Sequence, residues 1–255
     1  MLTTPFEPTV LENADTAHLK SSLIEHVRNK DTDAMSAKVK FAKTLMPLFN
    51  ELAKRNPTPD LSQQIPLLKG IWLPIWSTIP FQDIIPGRIH QESYQIFNDN
   101  GYYANLARYK PGQKQKLLSW FSRWLLSYDF MILQRYAVQT RTHEESDHML
   151  KLDPSNQDYW EIQNVAIQQS LHIGSRSFSA SDAQDWFNKS VAEQNKPNLR
   201  KTTRKNNRVS EKQSQQIAKA KPRLDHLYID SEFRLVKTQR EKNQRPSYTV
   251  ALRLS

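Results

Sequence analysis

Residues 88–109 read RIHQESYQIFNDNGYYANLARY, and this stretch decides the fold class. Two runs rich in aliphatic and aromatic side chains, Arg88 to Phe97 and Tyr102 to Tyr109, flank Asn98-Asp99-Asn100-Gly101. Asn, Asp and Gly tolerate the left-handed backbone that a tight reversal needs, so the segment predicts a β-hairpin. Working outward, Tyr128 to Thr140 places Phe130, Ile132, Tyr136 and Val138 on one side of a strand. Tyr159 to Ile173 repeats the alternation through Val165, Ile167, Leu171 and Ile173, with Glu161, Gln163 and Gln169 as polar exceptions on that face. Further strands are predicted around Tyr228 and from Phe233 to Lys237. In the last one, Tyr248, Val250, Leu252 and Leu254 alternate with Thr249, Ala251 and Arg253. The two-residue period sends the apolar set inward and Arg253 outward.

Upstream of the hairpin, Leu67 to Thr78 reads as a strand in which Pro74 marks an edge or a bulge. Lys114 to Leu126 suits helix or strand equally. Before residue 67 the period changes to that of helices. Asp15 or Thr16 caps a first helix through about Arg28, with Leu19, Leu23 and Val27 in one stripe. A second, from about Thr32 to Arg55, carries Phe41, Leu45, Leu48 and Leu52 on one face, and Pro47 kinks or divides it. Asn56-Pro57-Thr58-Pro59 then stops it. Ser181 or Asp182 caps a short later helix bearing Trp186 and Phe187. Seven or eight strands after N-terminal helices, with few helices between, predict a mainly β chain (α+β) whose antiparallel sheet closes on itself.

The chain has no cysteine, which excludes disulfides, thiolate metal sites and thiol nucleophiles. The most apolar stretch, Trp120 to Val138, carries Arg123, Asp129 and Arg135, so it falls short of the roughly 18 uninterrupted apolar residues of a membrane span. Met1 to Val10 has neither a secretory pattern nor the Arg-rich character of a transit peptide, so the chain is expected to work where it is made. The net charge of +10 is concentrated. From Lys196 to Arg223 there are ten basic residues against the single acid Glu211, giving +9 and leaving +1 for the rest. The expected organisation is a helical segment at 1–66, a barrel built from 67–195 plus 224–255, and a basic insert or linker at 196–223.

Three stretches carry a resemblance. Leu52 to Pro59 followed by Leu67-Leu68-Lys69-Gly70-Ile71-Trp72 is the first, and Gly87-Arg88-Ile89-His90-Gln91 with Asn105-Leu106 is the second. The third, Leu224-Asp225-His226-Leu227-Tyr228-Ile229-Asp230-Ser231-Glu232-Phe233-Arg234-Leu235, has the most weight. Together they resemble the plastid lipid-associated protein (fibrillin) family, with Asn56, Pro57, Gly70, Trp72, Asp225, Tyr228, Asp230 and Arg234 matching its motifs. The resemblance implies a lipocalin-like antiparallel β-barrel without catalytic activity. It further implies an apolar ligand such as a carotenoid or prenylquinone, and a place in the cytoplasm of a cyanobacterial cell, peripheral to the thylakoid membrane. The chain departs from the pattern at Arg28-Asn29-Lys30-Asp31, after Arg234, and in the basic insert.

The candidate pocket residues are Trp72, Trp76, Phe130, Ile132, Tyr136, Val165, Ile167, Tyr248, Val250 and Leu252, which either line a cavity or fill a closed core. Asp225, Asp230 and Glu232 are read as turn residues and partners of Arg234. His143-Glu144-Glu145-Ser146-Asp147-His148 gathers metal-ligand types, but histidines five apart diverge on helix and strand alike, and no metal site is assigned. Arg200, Lys201, Arg204, Lys205 and Arg208 form an anionic-surface candidate, for lipid headgroups before nucleic acid, since the stretch has no aromatic side chain for base stacking. An enzyme resembling the barrels that attach bilin chromophores, or a nucleic-acid module built on the basic segment, are the alternative readings.

Overall fold

The computed structural model describes residues 6–79, 88–110, 126–139, 159–173, 177–195, 222–239 and 244–254. Within them the strands β1 (Gly70–Ser77), β2 (Arg88–Phe97), β3 (Tyr102–Tyr109), β4 (Leu126–Gln139), β5 (Tyr159–Ile173), β6 (Arg223–Ile229), β7 (Phe233–Gln239) and β8 (Ser247–Leu254) follow in order. Each pairs antiparallel with the next, and β8 returns to β1, so the eight strands form a closed ring, joined most narrowly at Trp160–Leu224 and Glu161–Arg223, the pairs between β5 and β6 among the described residues. The β2–β3 hairpin turns at Gly101, whose φ of +80° is open to glycine at no cost.

Helices cover the ring on two sides and close one end. Helix α1 (Pro8–Asn13), α2 (Thr16–Val27), α3 (Met35–Thr44) and α4 (Met46–Lys54) pack on the outer face of β6, β7, β8 and β1. Asp15 caps α2 by accepting from the His18 amide at 2.6 Å. The long second helix divides at Leu45, and Pro47 opens α4, where its missing N–H costs nothing. Leu19, Leu23, Val27, Leu45, Leu48, Phe49 and Leu52 are fully buried beneath it. Each such side chain contributes about 1.5–3 kcal/mol. Helix α6 (Ala180–Gln194) lies on the opposite side over β2, β3 and β4, with Phe187, Ala183 and Val191 against Ile96, Leu106 and Leu133. Its cap is Ser179, in a reciprocal box with Asp182, two or three residues earlier than the Ser181 or Asp182 cap expected from the sequence.

Among the described residues four register shifts decide which side chains face the lumen, one of them between Arg88 and Ser93 in the β2–β3 pair. Between Pro74 and Trp76 the β1–β8 register shifts, so Trp72 and Pro74 face inward while Trp76 turns out under α3 and α4. In β5, Val165 is the extra residue opposite Leu133 and Gln134. Trp160, Ile162 and Asn164 face inward before it, and Ile167, paired with Ile132, does so after it. The polar exceptions Glu161 and Gln163 therefore lie on the outer face, and the single alternating face read from the sequence is two half-faces. A shift between His226 and Tyr228 likewise sends Tyr228 to the outer core.

Helix α5 (Leu61–Leu68), at the start of the predicted first strand, closes the ring at one end. Leu61, Ile65 and Leu67 pack on a core of Leu68, Trp72, Phe97, Tyr136, Trp160 and Ile229. Gln64 fastens the plug. Its Oε1 accepts from the Trp160 indole at 2.9 Å and from His226 Nδ1 at 3.0 Å, and its Nε2 donates to the Thr58 carbonyl at 3.0 Å. Because an indole nitrogen only donates, the shared oxygen fixes the histidine proton on Nδ1. Arg253 ties the helix end to the ring by donating to the carbonyls of Leu67, Lys69 and Ser231. Gly70 follows at φ +122°, a backbone that strains any residue with a side chain, and a Cβ there would press on Arg253 Nη1 at 2.8 Å. Gln64→Leu strands two buried N–H groups at about 1–3 kcal/mol each, and a loss of about 2–5 kcal/mol is expected in urea unfolding. A loss below about 0.5 kcal/mol, the range of neutral surface changes, would show that the amide does not hold the plug.

Candidate functional site

Above the plug the ring is hollow. Tyr103, Ala107, Phe130, Ile132, Ile162 and Val236 are among the walls of a cavity of about 180 Å³, space for on the order of ten water molecules. Its surface is mainly apolar, but the polar groups in it are ordered. Gln95 of β2, Asn105 of β3, Gln134 of β4 and Asn164 of β5 form a ladder across the wall: Gln95 Nε2 donates to Asn105 Oδ1 at 3.0 Å, Asn105 Nδ2 to Gln134 Oε1 at 2.9 Å, and Gln134 Nε2 to Asn164 Oδ1 at 2.6 Å. Register produces the ladder, since Gln95 opposes Asn105 and Gln134 opposes Asn164.

Arg234 of β7 stands at the head of this ladder. Alternation along β7 buries Phe233 and Leu235 under the helices and sends Arg234 into the ring, over the small side chain of its partner Ala251. The guanidinium lies 4.6 Å from the Trp72 ring and 4.7 Å from that of Phe97, and its Nη2 donates to Gln95 Oε1 at 2.5 Å. Every amide oxygen in the ladder points back toward this cation and every NH2 points away. Arg234 is 1% exposed, and its Nε and Nη1 have no hydrogen-bond partner among the described residues. The acids expected to pair with it do not: Asp225 accepts from Arg223, and Asp230 accepts from Lys20, Tyr228 and the amides of Glu232 and Phe233. Burial pulls the guanidinium pKa from 12.5 down to about 9, with Tyr103 opposing and Arg253 adding to the fall, so it is charged at neutral pH. Burial raises the Tyr103 hydroxyl to about 12. Burial first, and the Arg234 charge second, hold His226 well below its usual range and neutral.

The pocket candidates separate by position. Phe130 and Ile132 line the cavity, and Ile167 shares their face beside Ile132. Trp72 and Tyr136 lie in the packed floor between the cavity and α5. Trp76, Tyr248, Val250 and Leu252 are in or against the outer core under α1–α4, and Val165 packs against the α6 core. The last strand is apolar on the expected residues, but their target is the helical layer. Arg253 stacks 4.3 Å from Trp72 at the plugged end. Among the matched motif residues, Asn56 bridges the bulge in β6, donating to the His226 carbonyl at 3.3 Å and accepting from the Ile229 amide at 3.2 Å, while Pro57 follows it in the turn into α5. Arg200, Lys201, Arg204, Lys205 and Arg208, and the 143–148 cluster, lie outside the described residues. The sequence pointed to neither the amide ladder nor the hollow, because four separated polar residues on four strands make no local pattern.

At the rim the α2–α3 loop supplies Asp31, whose carboxylate accepts from Arg88 Nη2 at 2.8 Å, from the Ser77 amide at 2.8 Å and from His90, with Lys38 Nζ 3.6 Å away. Burial raises this carboxyl, but the His90 hydrogen bond and the charges of Arg88 and Lys38 outweigh it and hold the pKa below 3.8. A depressed folded-state pKa stabilises above the unfolded value, and that stability is lost as pH falls through the folded one. Asp31→Asn is expected to cost about 3–5 kcal/mol at neutral pH by leaving the cations unpaired, and to flatten the loss of urea stability below the ordinary carboxyl pKa of 3.8. An unchanged acid limb would show that another group controls it.

Among the described residues no cluster has the composition of a metal site, and no helix is long and apolar enough to cross a membrane. A scan against models of protein families finds no match to this chain, and neither does a search of curated proteins or of solved structures.

Proposed function

We propose that the chain binds an apolar lipid inside its ring, in the manner of a lipocalin, and holds or escorts it without changing it. One observation carries this reading: the mainly apolar cavity of about 180 Å³ at the centre of a closed eight-stranded ring. Large rings and aliphatic walls with a few ordered polar groups are the usual make-up of a small-molecule pocket. The size speaks to the mode of binding. A prenylquinone ring, or one end group of a carotenoid, matches such a space, and the remainder of the chain would extend out of it. The resemblance to the plastid lipid-associated proteins supports the same ligand class and a photosynthetic membrane as the setting. In that setting the +9 stretch at 196–223 supplies a peripheral, salt-sensitive contact with an anionic leaflet.

The test is to extract the purified protein with organic solvent and record both the absorption of the extract in the visible and near ultraviolet and its lipid content by mass spectrometry. The same is done for Ala107→Trp, which places an indole in the lumen. The unaltered protein is expected to yield a stoichiometric lipid, pigment or quinone, and the variant several-fold less while still folded. An empty extract from the first, or equal yields from both, would count against binding in the ring.

A further inference from the structure

Three features of the lumen are left unexplained by a wholly apolar ligand. The first is charge. Arg234 is sealed in the ring with no carboxylate facing it among the described residues, whereas the other lumenal cation, Arg88, is held by Asp31. A buried charge without a partner is destabilising, and two ring faces and one amide offset it only in part.

The second is direction. The ladder from Gln95 to Asn164 is polarised away from Arg234, so it carries the effect of the cation along the wall and presents N–H groups rather than oxygens at its far end. Gln134 spends one of its two N–H groups on Asn164, and the other has no partner among the described residues. The third is the Tyr103 hydroxyl. It accepts from Gln95 Nε2 at 3.5 Å, lies beside Asn105, and lines the cavity. Among the described residues the cavity wall therefore offers donors and a positive field, and the acid nearest its rim, Asp31, is already paired.

We propose that the lumen selects an amphiphile with a carboxylate head, a fatty acid or another lipid acid, seated head inward. The head lies against Gln134 and Tyr103, with Arg234 as the countercharge behind them. This rests on the lipid-binding reading and narrows its ligand class. One uncompensated cation calls for one negative charge, which a carboxylate supplies and a neutral terpenoid does not. Direct contact with Nε and Nη1 is not required, because both are shielded, and in a wall of low dielectric the charge acts at a distance. The tail then lies along Phe130, Ile132 and Val236.

The experiment titrates the full chain with dodecanoate, its methyl ester and dodecanol, following the intrinsic tryptophan emission and checking by calorimetry. A hydrogen-bonded charge is worth about tenfold to a hundredfold in affinity, so the acid is expected to bind tighter than the ester and the alcohol by that factor. Arg234→Gln keeps an amide and removes the charge. It is expected to remove the preference for the acid, bringing acid and ester together. Gln134→Leu is expected to reduce the preference for the acid about tenfold or less, since it removes one donor and keeps the cation. If Arg234→Gln does not fold, the comparison of acid with ester in the unaltered protein decides alone. Equal or weaker binding of the acid, with the ester and alcohol bound, overturns the carboxylate proposal and leaves the lipid reading in place. No binding of any of the three overturns both.

Discussion

A guanidinium enclosed by protein must be given surroundings that replace water, and in this chain much of the ring is arranged around that demand at Arg234. Trp72 and Phe97 offer ring faces, Gln95 offers an oxygen, and Ala251 is small enough to let the side chain cross β8. A cation over two desolvated rings gains about 2 kcal/mol from each. A hydrogen bond to the charged group adds about 1.5–3 kcal/mol. Together these offset part of the several kcal/mol that burying the charge costs. The floor of the lumen is thus rigid and electropositive, and the amide ladder passes that character along the wall.

The same end of the ring is where the chain's long-range ties converge. Helix α5 is fixed through Gln64 to β5 and β6, and through the carbonyls at its end to Arg253, which covers Trp72 from β8. Asn56 joins the loop before α5 to the bulge in β6. The opposite half of the ring is less committed to packing and holds the hollow. A closed ring with one plugged end and a cavity above it has the geometry of a container, with its polar information near the bottom.

The sequence made the strand number, the β2–β3 turn and the amphipathic helices legible, because each is written in a local period or a local turn residue. It did not reveal which face of a strand is the lumen. Tyr248, Val250 and Leu252 alternate cleanly, yet β8 is buried on both faces, by the lumen on one side and α1–α4 on the other. Alternation alone cannot tell those two apart. Bulges added a second ambiguity. Trp72 and Trp76 are four apart and would share a face in a regular strand, but one extra residue in β1 sends them to opposite cores. Helix α5 is hidden because Leu67 and Leu68 suit either a helix end or a strand start, and because it holds Pro66, a residue that helix interiors disfavour.

The claim on which the rest depends is that the Arg234 guanidinium is buried, charged and coupled to whatever occupies the lumen. Nitrogen-15 NMR of the arginine Nε–H groups measures this directly. The account predicts one resonance, assigned to Arg234, displaced by the Trp72 and Phe97 rings, slow to exchange with water and moving when dodecanoate is added. An Arg234 resonance that coincides with those of solvent-exposed arginines, exchanges as fast as they do and ignores the lipid would contradict it.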